Sequence, residues 1–175
     1  MSTSFKSSRR YIYHDHSYFQ KILFAFTSSP FYTTYVRLPT ADDPVPPEIR
    51  HDPKFFPFFK DCLGVLDGVH IPSLPPKDKQ PVWRNRKGFY SQNCLFGCSF
   101  DRTFVYSMAG WEGSTTDAHV YKDARSSDLN IPEGKYYLAD PGYYLTNELL
   151  VPYPGVRYYL AEWGDGIVRY FFFCL

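Results

Sequence analysis

The sequence is poor in cysteine. Its four, Cys62, Cys94, Cys98 and Cys174, form no CxxC pair and no Cys/His ligand spacing, which excludes a zinc finger of the usual pattern. Free cysteines of this kind are small buried apolar residues, and Cys94 and Cys98, four apart on a strand, share a face. An excess of one charge is also missing: 19 Lys and Arg face 18 Asp and Glu, a formal net charge of +1. That balance excludes a uniformly basic nucleic-acid coat, although not a local basic face. No apolar run approaches the roughly 18 residues that would cross a bilayer. Residues 1–10, with Lys6, Arg9 and Arg10, lead into a polar, His-containing stretch and not into an apolar signal core. The expectation is a soluble, intracellular chain. Internal repeats and low-complexity tracts are absent as well. What the chain does have is aromatic mass: 16 Tyr, 16 Phe and 3 Trp, 20% of 175 residues, within a hydrophobic total of 44%. This composition excludes disorder throughout, and the length suits one domain with an arm.

Along the chain, Phe19, Ile22, Leu23 and Phe26 fit the stripe of a short amphipathic helix. Six prolines between Leu38 and Pro57 favour an extended or turning connector. From Cys62 to Ile71 a nearly continuous apolar run broken by one acid reads as a strand buried on both faces. Residues 91–100 and 103–111 read as two strands of a hairpin joined at Asp101-Arg102, without the Asn-Gly or Asp-Gly of the strongest turns. Gly113-Ser-Thr-Thr-Asp117 carries helix-start chemistry, with Ser or Thr as cap and an acid in the first turn. Residues 135–140 form another short buried strand stopped by Pro141-Gly142, and residues 156–160 are a fifth candidate.

This order predicts an α/β (α+β) sheet with flanking helices. A right-handed crossover through residues 116–127 sets the strand ending at Asp140 parallel to the strand carrying Asp67, and beside it. Asp67 and Asp140 then meet at the same end of neighbouring strands. An acid embedded in apolar sequence is costly unless paired, protonated or metal-bound. Two carboxylates at open strand ends suit Mg²⁺, which needs few protein oxygens and keeps several waters. The plainer alternative is that both acids accept turn hydrogen bonds before Gly68 and Pro141-Gly142. Asp117 is explained by helix capping, with a ligand role as its alternative. His70 and His119 extend the set toward a His/Asp metallohydrolase, but three residues on a strand put His70 on the face opposite Asp67. Lys77, Lys79, Arg84, Arg86 and Lys87, interleaved with Trp83, Phe89 and Tyr90, read either as a DNA-gripping loop or as a solvated surface loop. Gln92 and Asn93 follow it and either orient the loop or touch substrate.

Five strings in order, FFPFFKDCLGVLDGVHI, WRNRKGFYSQN, MAGWEGSTTDAHVYKDA, EGKYYLADPGY and PYPGVRYYLAEW, resemble the catalytic domain of PIF/Harbinger-type DDE transposases, including the Harbinger-derived nucleases. The resemblance runs from about Phe31 to Trp163. It implies a ribonuclease H-like fold with a mixed five-stranded sheet, and Mg²⁺- or Mn²⁺-dependent cleavage and strand transfer on DNA. It also implies action in the nucleus and a separate Myb-like DNA-binding partner. Its catalytic, metal-binding acids fall on Asp67 and Asp140. Asp117 lies in a motif string without being one of the family's three acids. The third, a Glu on a later helix, has no match: after Trp163 the sequence reads GDGIVRYFFFCL, and Glu148 and Glu162 fall before or within the last matched strings. The expected organisation is therefore a remnant of an N-terminal helical region (1–37), a proline-rich connector (38–57), a DDE endonuclease domain (58–163) incomplete at its C-terminal end, and a divergent truncated tail (164–175). The expected function is a catalytically impaired DDE endonuclease, with a non-catalytic DNA- or protein-binding remnant as the alternative.

Overall fold

The computed structural model of the protein describes residues 4–153, with side chains from residue 16 onward. The chain divides into two compact units, residues 1–37 and residues 38–175. The first consists of helix α1 (Ser4–Thr27) and the short helix α2 (Phe31–Tyr35). α1 is much longer than the helix expected around residues 18–27. Its stripe of Phe19, Ile22, Leu23 and Phe26 is exposed, and Phe26 meets Phe31 edge-on at 4.8 Å between centroids.

The second unit is built on a sheet. In chain order its elements are α3 (Pro47–Arg50), β1 (Cys62–Pro72), α4 (Gln80–Trp83), β2 (Ser91–Cys98), β3 (Phe104–Glu112), α5 (Asp117–Ser127), β4 (Tyr136–Ala139) and β5 (Leu149–Leu150). The strands lie in the order β3-β2-β1-β4-β5. β1, β2 and β3 form an antiparallel meander, whereas β4 and β5 run parallel to β1. This is the mixed five-stranded sheet with flanking helices expected of a ribonuclease H-like domain. The fifth strand differs from expectation: it is the two-residue β5, and the candidate at residues 156–160 lies outside the described residues, as does Cys174.

Alternation along the strands sorts the core into two layers. Leu66, Leu95, Tyr106, Tyr137 and Ala139 face Val120 and Ala124 of α5. Val65 and Leu138, on the opposite face, pack with Cys62, Phe100 and Ile49, so the proline-rich segment closes the second face through α3. Cys62, Cys94 and Cys98 are buried free thiols. Burial pushes the Cys62 thiol up to about 12, in keeping with inert packing.

The hairpin joint forms without Asn-Gly. Arg102 takes the left-handed conformation (φ 71°), and the Asp101 carboxylate accepts bonds from the Thr103 amide (3.0 Å) and hydroxyl (2.7 Å) and from the Ser99 hydroxyl.

Candidate active site

β1 and β4 pair in parallel, Leu66 opposite Ala139, and Asp67 and Asp140 are the next residues on each. Contrary to expectation, Asp67 is thus not at a strand end but in the middle of β1, still paired with Phe96 of β2, where the shorter β4 stops beside it; Asp140 lies just past the end of β4, and both acids are half-buried. Local backbone fixes each carboxylate. The Gly68 amide donates to Asp67 Oδ1 at 2.8 Å, and the Gly142 amide donates to Asp140 Oδ1 at 2.9 Å. The turn hydrogen bonds considered as the plain alternative thus exist, and each leaves the second oxygen of its carboxylate unengaged by that bond.

α5 brings a third acid to the same edge. A Cβ on Gly68 would lie 2.2 Å from Asp117 Oδ1, so the absent side chain is what admits this carboxylate against β1. Thr116 precedes the helix but makes no side-chain cap bond, contrary to the capping expected from Ser or Thr. Asp117 instead accepts a 2.8 Å bond from Asn93 Nδ2, which also donates to the Thr115 carbonyl at 2.9 Å. Asn93 is fully buried in β2, and its Oδ1 has no hydrogen-bond partner among the described residues. Sequence reasoning noted Asn93 without giving it this role; the available signal was an amide embedded in the apolar run of SQNCLFGC.

The electrostatics follow from this crowding. Burial, opposed by the Gly68 amide and reinforced by the charges of Asp140 and Asp117, pushes the Asp67 carboxyl up to about 6. Among the described residues no Lys or Arg forms an ion pair with Asp67, Asp117 or Asp140. Tyr143, just past Asp140, is buried, and its hydroxyl has no hydrogen-bond partner among the described residues. Burial, together with the carboxylates of Asp117, Asp67 and Asp140, raises the phenol well above its ordinary value.

The other candidates lie elsewhere. His70 Nδ1 meets the Ser91 hydroxyl at 3.1 Å, and His119 stacks edge-on with Trp111 at 4.9 Å. Neither histidine joins a metal-binding group: among the described residues no three His, Cys, Asp or Glu side chains assemble one. Glu148 is held by Arg125, at 2.9 Å from its Nε, and by the Tyr121 hydroxyl at 3.3 Å. Glu162 lies outside the described residues.

Lys77, Lys79, Arg84, Arg86 and Lys87 are exposed on the segment between β1 and β2, around α4. Buried Asn85 shapes that segment: its Oδ1 accepts the Lys87 amide (2.9 Å), and its Nδ2 donates to the Ser91 hydroxyl (2.9 Å). The Ser114 amide donates to the Val82 carbonyl at 3.2 Å, joining the segment to the approach to α5. Because Pro72 of β1 pairs with Ser91 of β2, the basic loop leaves the sheet past the C-terminal end of β1, five residues beyond Asp67.

A family model described as DDE superfamily endonuclease matches residues 66–164, more than half of the chain, and the chain belongs to that family. The match takes in Asp67, Asp117 and Asp140. Among curated proteins, those named "Putative nuclease HARBI1" from Homo sapiens and Rattus norvegicus are each 28% identical to it over 93 residues, and the one from Bos taurus 27%. These alignments cover 51% of this chain and 27% of each relative, so the chain matches about a quarter of their length. No solved structure matches. No helix among the described residues is long and apolar enough to cross a membrane.

Proposed function

We propose that this domain binds DNA and cleaves phosphodiester bonds with divalent metal held by Asp67 and Asp140. The observation that carries the reading is the meeting of these two acids where β4 ends beside β1, near a third carboxylate and, among the described residues, with no cation paired to them. Such a donor set fits Mg²⁺ or Mn²⁺: hard oxygen ligands, uncompensated charge, and a proton affinity on Asp67 already raised by its neighbours. When bound, the metal would polarise the phosphodiester and lower the pKa of an attacking water.

The chain's own groups would do the rest. The Gly68 and Gly142 amides hold the two carboxylates in place, and Asn93 keeps Asp117 turned toward β1. Lys77 to Lys87 would attract the phosphate backbone, a salt-sensitive contribution. Strand transfer, with a DNA 3′-hydroxyl in place of water, belongs to the same proposal, as do nuclear action and a separate Myb-like partner.

Two aspartates hold a divalent ion less firmly than three acids. The 175-residue polypeptide is therefore expected to nick supercoiled DNA slowly in Mg²⁺, and Asp67→Asn or Asp140→Asn should abolish the nicking. Rapid nicking that survives Asp67→Asn would contradict the assignment. A second reading, a DNA-binding remnant without chemistry, is favoured by the engagement of Glu148 with Arg125 and by the lack of a three-residue metal group among the described residues. It expects salt-dependent DNA binding through the basic loop with no Mg²⁺-dependent product at all.

A further inference from the structure

An open cleft of about 500 Å³ lies between α5 and the segment that follows β4, its lining reaching Ala118, the neighbour of Asp117. Its size falls among small-ligand sites, roughly 300–1,000 Å³. Tyr121, Lys122 and Arg125 project from one side of α5, as the helical i, i+1, i+4 spacing allows, while Tyr143, Tyr144 and Glu148 come from the opposite wall.

The charges in the cleft are not balanced. Glu148 is neutralised by Arg125 and accepts from Tyr121. Lys122 is exposed and makes no ion pair among the described residues, which leaves one net positive charge facing the space. The walls are aromatic in a graded way. Tyr143 is only 4% exposed and meets Tyr121 edge-on at 6.2 Å, whereas Tyr144 is 78% exposed and offers an open ring face. An exposed tyrosine next to an unpaired lysine suits a ligand with both a π-face and an anion. Base-aromatic stacking with a phosphate contact meets both requirements, whatever the base sequence.

Tyr143 links this cleft to the acids: it lines the cleft and its amide donates to the Asp140 carbonyl at 3.2 Å, while Ala118, the residue after Asp117, lines the cleft from α5. We propose that the cleft holds one unstacked nucleotide of the DNA strand next to the phosphate presented to Asp67 and Asp140, with Tyr144 stacking on the base and Lys122 on the adjoining phosphate. This deepens the nuclease reading and rests on it. The basic loop joins β1 to β2, whereas the cleft is lined in part by Leu149 of β5 across β4, so a strand running over the acids would be gripped both before and after the reacting phosphate.

The test uses the full chain carrying Asp67→Asn, so that the chemistry is silenced, and an oligonucleotide with a single 2-aminopurine in a single-stranded stretch. Binding is followed by anisotropy and by quenching of the 2-aminopurine. Tyr144→Ala should weaken binding at least fivefold and remove the quenching, and Tyr144→Phe should restore both. Lys122→Ala should weaken binding and lower the slope of log affinity against log salt by about one. Both residues are exposed, so neither substitution threatens the fold. Unchanged affinity and quenching in Tyr144→Ala and Lys122→Ala would overturn the cleft assignment while leaving the acids' role intact. DNA cleavage that persists in Asp67→Asn would instead overturn the nuclease reading itself.

Discussion

Asp67 carries a cost in the folded protein that depends on pH. Its carboxyl is pushed up to about 6 from an ordinary 3.8, so the folded chain keeps a proton that the unfolded chain releases. The stability this confers is fully present below about pH 4 and is lost as the pH rises through 6. Asp67→Asn should therefore melt like the parent at pH 4 and above it at pH 7.5. Two pKa units on a fully buried group would be worth nearly 3 kcal/mol, and solvent screening of this half-buried carboxyl reduces the expected gain to about 1 kcal/mol. Thermal unfolding followed across pH 4–8 checks this, and a parallel pH dependence in both proteins would contradict it. At Gly68 the constraint is spatial: an added Cβ would lie 2.2 Å from Asp117 Oδ1 and 3.2 Å from its Cβ. Gly68→Ala should turn the Asp117 carboxylate away from Asn93, costing about 2 kcal/mol for a charge-assisted bond while the sheet itself remains. Denaturant unfolding gives the cost, and nicking assays should show activity reduced well beyond it.

The elements that hold these residues were legible in the sequence to the extent that their signals are local. β1 announced itself as an apolar run, β2 and β3 as two strands around Asp101-Arg102, and α5 through the polar run before it. β5 did not, because two residues carry no periodicity. α1 outran its expected length because its first half has no apolar stripe to mark it. The Asn93-Asp117 bond was not legible either, since it depends on how far α5 is set over β2, a tertiary distance that spacing does not encode. At Gly64, β1 shifts register against β4 between Cys62 and Gly64, and an added Cβ would come 2.2 Å from the Cys98 carbonyl oxygen of β2. That neighbour is backbone inside a ladder and has nowhere to move. Gly64→Ala should therefore cost about 3 kcal/mol or more, in the range of severe overpacking. Chemical denaturation checks it, and a loss under 1 kcal/mol would mean that the β1-β2 pairing tolerates displacement.

At the scale of the whole molecule, the site follows from strand order. A meander places β1 beside β2, and a helical crossover returns the chain so that β4 lies on the other side of β1 and parallel to it. Those two facts bring Asp67 and Asp140 together although 73 positions separate them in sequence. The right-handed crossover rule made this adjacency legible, because it leaves few arrangements for a helix between parallel strands. Tyr143 and the cleft beyond it were not legible, since they depend on the path of the chain after Pro141-Gly142. The near-zero net charge of the sequence hides a separation of sign, with acids where β4 ends beside β1 and cations on the loop that joins β1 to β2. Mn²⁺ titration of the 175-residue chain at pH 7.5, followed by the loss of the free-ion electron paramagnetic resonance signal, reads out whether Asp67 and Asp140 together hold a divalent ion. Weak, saturable binding that is lost in both Asp67→Asn and Asp140→Asn is the expected result; binding unchanged in either variant would overturn the assignment of these two acids as ligands.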